Sequence, residues 1–399
     1  MTNQKTLDYI KEHIDNDVRQ LALRGSKDPE VDMTFALDQI AGRQKAKTKI
    51  PSWAAIDGII YPPHLSMEQC SSEATARYKA HMAGEGHTFV DLTAGYGVDT
   101  AFIAQGFQQA VHVELQESLC TISSENYKLL GLHHIRVVCD DGRSYLHTLD
   151  HADLLFIDPA RRDEYGGRTY GIADCTPNVL EMLDEMEKKA DRIVIKLSPM
   201  LDWRKAVEDL GHVHQVHIVS VENECKELLM ELKNGNRNTT SAAPSLPVIC
   251  VNLLSDGTED HFEFDALAPS STMTDNLLQE ELRYLYEPNA SIMKAGCFHE
   301  IAARFQLTQL DRNSHLFVSA TKAEHFPGRC FVIENTISMN KRELKEALKG
   351  IDRANIAVRN FPMSVADLRK RLKLKDGGDI YIFATSVANK GHRLFICQK

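Results

Sequence analysis

Residues 88–100 read TFVDLTAGYGVDT, an apolar stretch closed by Asp91, with Gly95 and Gly97 at the turn into a helical pattern. Glycines at such a turn let the backbone bend sharply and leave room for a ligand to approach it. Further carboxylates follow: Glu114 ends AVHVE, Asp140 and Asp141 follow IRVVC, and Asp158 ends DLLFID. Their spacing suits consecutive strands of one β-α-β sheet whose carboxyl ends share an edge. An acid at Glu114 can accept both hydroxyls of a ribose, as the acid about 20 residues beyond the glycines does in dinucleotide folds. Asp140 or Asp141 can accept from the adenine amino group, and Asp141 is preferred because Gly142 opens the next helix.

The charge of the turn discriminates between ligands. A dinucleotide site completes G-x-G-x-x-G with a third glycine and offers a helix N-terminus to pyrophosphate. Here the third position is Thr100, and Asp91 and Asp99 bring negative charge to where phosphates would lie. S-adenosylmethionine (SAM), which carries a sulfonium and an ammonium and no phosphate, fits that charge; NAD does not. Asp99 and Asp141 each also read as simple helix caps, and the glycine pair alone says little. The inference rests on four landmarks in order.

The elements that must position these residues alternate regularly. Strands are expected over 88–92, 110–114, 135–139, 153–158, 192–198 and 215–222, with helices near 98–106, 116–130, 142–149 and 176–189. Apolar strands alternating with helices predict an α/β fold, a mostly parallel sheet of seven strands covered on both faces. Either 246–254 or 227–233 supplies the seventh strand, and the polar stretch 234–245 reads as a mobile loop. Leu7, Ile10, Ile14, Val18 and Leu21 predict one amphipathic helix over 6–24, and MTFALDQIAGRQKAKTKIP a second that breaks at Pro51. Its Arg43, Lys45, Lys47 and Lys49 read as a solvated helix end or as contacts to a substrate backbone. From 276 onward short strands (HLFVSA, RCFVIE, NIAVR, IYIFAT, RLFICQ) alternate with helices at 297–306, 340–349 and 364–373, a compact α+β region divided near Pro327-Gly328. Four regions are therefore expected: a helical cap over 1–62, a catalytic domain over 63–275, and small modules over 276–326 and 327–399.

DLTAGYGVD, DPARR and IVIKLSP resemble class I SAM-dependent methyltransferases, with their Rossmann-like sheet. More narrowly they resemble a bacterial family in which that domain precedes a THUMP-like one; EQCSSEATARYKA (68–80) and ECKELLMEL (224–232) share the likeness. The resemblance implies SAM as cofactor, with contacts at Asp91, Thr93, Gly95, Gly97, Asp99, Glu114, Asp140 and Asp141. It also implies a ferredoxin-like piece, a THUMP-like piece, and RNA as partner.

Methyl transfer from SAM is an in-line displacement, so the protein must align the acceptor and exclude water. Asp158-Pro159-Ala160-Arg161 is similar to the Asp/Asn-Pro-Pro-aromatic tip of amino-group methyltransferases, but Arg161 stands where the aromatic residue belongs. Asp158, Pro159 and Arg161 are the expected catalytic residues, with Arg161 or Arg162 suited to a phosphate or carboxylate. Tyr165 or Tyr170 is suited to stacking on a base, and Gly166-Gly167 marks a lid. A cysteine nucleophile is not expected: RIVIKLSP ends in Lys196 and Ser198, Cys225 reads as a packed thiol, and Cys175 falls in the loop. Lys196 is read either as a substrate contact or as the partner of Asp158.

Composition bounds the rest. The 399 residues, 43% of them apolar, suffice for more than one core. No apolar run approaches the length of a membrane span, and the N-terminus lacks a signal-peptide pattern. Nine cysteines without a C-x-x-C pair point to reduced thiols and a cytoplasmic setting. His212, His214 and His217 lack ligand-spaced partners, so no metal is expected. The net charge of −10 divides unevenly: residues 276–399 carry 20 Lys+Arg against 13 Asp+Glu, with RKRLKLK (369–375) the densest part. That region suits a polyanion. The reading is a SAM-dependent methyltransferase acting on a base nitrogen in structured RNA. The alternatives are a protein or small-molecule methyltransferase and a non-catalytic RNA-binding scaffold that retains SAM. Oligomeric state is left open.

Overall fold

The computed structural model describes residues 3–161, 171–234, 245–268 and 282–399. Two compact units divide the chain: Met1–His217 with Lys226–Ala243, and Ile218–Cys225 with Pro244–Lys399.

The first unit is built on β1 (Gly86–Asp91), β2 (Phe107–Glu114), β3 (Ile135–Cys139), β4 (Ala152–Ile157) and β5 (Ala190–Leu197). β1 lies between β2 and β4, β3 flanks β2, β5 flanks β4, and all these pairs are parallel. β4 (ADLLFI) is almost wholly buried, which is why it reads as a continuous apolar run rather than an alternating one. β6 is Gln215–Val221 and β7 Glu224–Lys233. β7 is the strand that runs antiparallel to β5, from Arg192↔Lys233 to Leu197↔Leu228. The competing stretch forms β8 (Pro247–Leu253), hairpin-paired in the second unit with β9 (Glu259–Asp265), a strand the sequence did not announce.

Local chemistry sets the helix ends. The single helix expected over 6–24 is two, Gln4–His13 and Val18–Arg24. Asp17 starts the second by accepting from the Gln20 N–H, so the break is a helix cap. Helix Met33–Lys49 ends before Pro51, which opens the short helix Pro51–Ala54 from its first position. Its basic quartet is occupied internally: Arg43 by Asp57, Lys45 by Glu68, Lys47 by Asp15, and Lys49 by the carbonyls of Met67 and Glu68.

In the second unit β10 (Tyr284–Pro288), β11 (Thr308–Gln309), β12 (Phe317–Ser319), β13 (Gly328–Ile337), β14 (Asn355–Arg359), β15 (Ile380–Val387) and β16 (Gly391–Gln398) form one sheet, ordered β11-β12-β10-β13-β16-β15-β14. The two small modules expected on either side of Pro327-Gly328 therefore share a sheet. β13 pairs with β10 on one side and with β16 on the other. Phe331, Phe383, Phe395 and Leu285 fill one face of that sheet; Leu368, Ile382, Leu394 and Ile396 fill the other core.

Candidate active site

The expected carboxylates converge along the carboxyl ends of β1 to β4. Asp91 ends β1 and is almost wholly buried. Its Oδ1 accepts from the Thr93 N–H at 3.1 Å and its Oδ2 from the Thr100 hydroxyl at 2.7 Å. Burial pushes its carboxyl up to about 7, against the pull of those two donors. Thr93 also accepts, through Oγ1, the Asp158 N–H at 2.6 Å, tying the β1 turn to the tip of β4.

Gly95 and Gly97 both hold positive φ, +58° and +84°. At Gly97 a Cβ would lie 2.1 Å from the Tyr127 Oη, so packing from below demands glycine. At Gly95 a Cβ would meet none of the described residues within 4 Å. The Gly95 N–H donates to Glu114 Oε2 at 3.0 Å, and the Gln116 N–H to Oε1 at 2.8 Å. Each Glu114 oxygen takes one backbone donor from the described residues, and a carboxylate has about four acceptor positions. Leu115, beside it, is 69% exposed.

Asp140 and Asp141 are both exposed at the end of β3, in register with Glu114 through Cys139. Asp141 caps helix Gly142–Thr148, its Oδ1 accepting from the N–H groups of Arg143 and Ser144. Gly142 is fixed by packing, since a Cβ there would lie 2.2 Å from the Leu92 carbonyl oxygen.

Asp99 departs from the others. It does not cap its helix, Val98–Ile103, whose N-cap is Gly97. Its carboxylate lies in a buried charge cluster: Oδ2 accepts from Ser71 Oγ at 2.7 Å and faces Lys196 Nζ at 3.4 Å, while Oδ1 is 3.1 Å from Lys79 Nζ. Burial works to raise its carboxyl, and the two lysines overcome that and hold it below the ordinary range. Lys79 is wholly buried and reaches both Glu227 oxygens at 2.7 Å. Lys196, at the end of β5, binds Asp158 Oδ2 at 2.6 Å and Ser71 Oγ at 3.0 Å. Burial would lower the Lys196 ammonium, but Asp158, Asp99 and Glu227 raise it well above its usual value, so it stays charged. Asp158 itself keeps a side-chain exposure of 38%, and among the described residues its Oδ1 carries no bond.

Of the two sequence readings of Lys196, pairing with Asp158 is the one observed. Lys79 and Glu227 were missed as functional candidates, although Lys79 occupies the same buried stripe of helix Glu73–Ala83 as Thr75, Ala76 and Ala83. A lysine on a buried helical face is a legible signal. Arg161 enters through its backbone, which pairs with Cys175. Cys175 is buried in that pairing rather than in a mobile loop, because the short antiparallel contact orders it. Arg162, Tyr165, Gly166-Gly167 and Tyr170 lie outside the described residues, as does 235–244 of the expected 234–245 loop.

A methyltransferase so named provisionally, from Porphyromonas gingivalis W83, is 31% identical, with a TM-score of 0.86 over 98% of this chain and 96% of its own. Residues 328–399 match the THUMP domain-like family and 284–327 a ferredoxin-like domain. The chain belongs to the family of class I SAM-dependent methyltransferases with a C-terminal THUMP-like domain. An rRNA methylase from Streptococcus thermophilus matches 40% of this methyltransferase and 94% of its own length, at 17% identity and a TM-score of 0.31. TrmK from M. capricolum, solved with S-adenosylhomocysteine (SAH), matches 40% and 68% at 12% identity and a TM-score of 0.32. No curated protein matches the chain. Membership of this family implies SAM as cofactor, and the free acceptor positions of Glu114 beside Gly95 fit a nucleoside ligand there. Among the described residues no helix is long and apolar enough to cross a membrane.

Proposed function

We propose that this methyltransferase modifies structured RNA. The observation that carries the reading is the joining, in one chain, of the carboxylate edge described above to THUMP-like residues 328–399. Helix Val365–Leu372 and the residues after it expose Lys370, Arg371, Lys373 and Lys375. Exposed cations in that density suit a phosphate backbone.

In this reading Glu114 takes the ribose hydroxyls of the cofactor, Asp140 or Asp141 the adenine amino group, and Leu115 packs on the adenine face. Gly95, Gly97 and Thr93 shape the turn, and Asp91 offers its negative charge to the cofactor ammonium. Asp99 acts indirectly, through the lysines it binds. The bound cofactor supplies an electrophilic methyl group. Asp158 receives the acceptor group through its partly exposed carboxylate, Pro159 fixes the tip, and Arg161, two positions further along the chain, is suited to a substrate phosphate.

Asp158-Pro159 taken alone suits the N–H of a base, the acceptor favoured by the sequence. The ammonium of Lys196 against Asp158 and the missing aromatic at Arg161 weigh toward another atom of the nucleotide. Incubation of the protein and tritiated SAM with RNA from a strain lacking the gene tests the RNA reading. Label in RNA is expected; its absence, with label passing to protein or small molecules, sinks it.

A further inference from the structure

We infer that the methylated atom is oxygen, the ribose 2′-hydroxyl of the RNA, and that Lys196 and Asp158 together prepare it. The inference rests on the RNA reading and narrows it to one functional group.

Four elements bring two lysines and two acids to one place. Lys79 comes from the helix before β1, Asp158 from the tip of β4, Lys196 from β5 and Glu227 from the antiparallel β7. They form two pairs, Lys79 with Glu227 and Lys196 with Asp158. Ser71 Oγ bridges the pairs, at 3.2 Å from Lys79 Nζ and 3.0 Å from Lys196 Nζ, and Asp99 bridges them again from its two oxygens. A pair at the strand tip alone would be an ordinary ion pair. Here a second buried pair holds the first in place. The Lys196 side chain is 12% exposed and that of Asp158 38%, so the outer pair meets the substrate side while the inner one does not.

The sign of the charge that develops on the acceptor separates the two chemistries. A neutral amine attacking a methyl group becomes cationic as its bond forms, and an ammonium beside it opposes that step. A hydroxyl is a poor nucleophile until its proton departs, and the negative charge then gathering on oxygen is stabilised by an ammonium. An amine site would also gain from an aromatic platform at the fourth position of the tip, where Arg161 stands. The 2′-hydroxyl is the hydroxyl that RNA presents at every nucleotide, whatever its base.

The step balances without any further reactant. The oxygen lone pair forms the bond to the methyl carbon as the carbon–sulfur bond breaks, and sulfur keeps that electron pair. The hydroxyl proton passes to Asp158 Oδ1 and from there to water. Lys196 holds its own proton throughout and donates to the reacting oxygen.

The test uses the whole wild-type protein, tritiated SAM and RNA from a strain lacking the gene, followed by alkaline hydrolysis. A 2′-O-methyl group prevents alkaline cleavage of the adjoining phosphodiester, so the label is expected in alkali-resistant dinucleotides. Label released in mononucleotides, on bases, overturns the oxygen acceptor while leaving RNA as substrate. No label in RNA overturns both. Lys196→Met is expected to lower transfer about 100-fold with SAH affinity, read by calorimetry, changed less than about threefold. Undiminished transfer, or an equal loss of SAH affinity, refutes the role given to Lys196.

Discussion

The Lys79 ammonium, 0% exposed, binds both oxygens of Glu227 at 2.7 Å, joining residues 148 positions apart in sequence. Removing one partner of such a pair strands the other charge in the interior. Lys79→Met should lower unfolding free energy by about 3–5 kcal/mol. The double variant Lys79→Met, Glu227→Met should cost less than Lys79→Met alone, since no charge is orphaned at Glu227. Urea denaturation of the two proteins checks this, and a double variant weaker than the single one refutes it.

Asp91 links stability and cofactor binding to pH. Its carboxyl, near 7 in the folded protein, exceeds the unfolded value of about 4, so folding retains a proton that the unfolded chain releases. That contribution is complete below pH 4 and is lost as pH rises to 7, so thermal stability should fall between about pH 4 and 7 and level off above, less steeply in Asp91→Asn. A cationic ligand favours the ionised form, so SAH affinity should rise over the same range. Calorimetry in buffers of different ionisation heats should detect the released proton.

Gly95 and Gly97 should fail differently when changed to alanine. Gly97→Ala drives a methyl group into the Tyr127 hydroxyl at positive φ and should cost about 2–4 kcal/mol of stability. Gly95→Ala meets no atom of the described residues and should cost only about 1–2 kcal/mol of backbone strain. SAH affinity should nevertheless drop at least tenfold, roughly 1.4 kcal/mol, because the methyl group points where the ligand approaches. Equal stability losses in the two variants would contradict the geometry.

Glu114→Ala should weaken SAH binding by about 10- to 100-fold, the loss of two hydrogen bonds to a charged acceptor. The thermal midpoint without ligand should move little, since Glu114 sits at a partly exposed strand end. Calorimetry and a melting curve on one preparation separate the two effects.

If the THUMP-like region grips phosphates, reversing Lys370, Arg371 and Lys373 to glutamate in the full chain should weaken RNA binding. The slope of log affinity against log salt should become shallower by at least about 2. An unchanged slope would remove these residues from the RNA surface.

Sequence pattern and tertiary structure part company at three places. The helix expected over 6–24 follows an apolar period that continues past Asp17, yet Asp17 caps a new helix there. Asp99 has the sequence position of a cofactor contact, but its carboxylate is taken by Ser71, Lys79 and Lys196. Both 227–233 and 246–254 are apolar runs, and only pairing with β5 distinguishes them.

What the sequence determined by itself was the alternation of strand and helix and the acids at successive strand ends. Strands buried on both faces must be continuous apolar runs, and the polar turn residues after them mark where each run stops. Only tertiary structure decided which charges meet. Lys79, Asp99, Asp158, Lys196 and Glu227 come from separate elements, and no local period records that a lysine on one helix faces a glutamate on a distant strand. It likewise decided that the ferredoxin-like and THUMP-like stretches share a sheet, because hydrogen bonds along both edges of β13 are long-range pairings that composition does not encode.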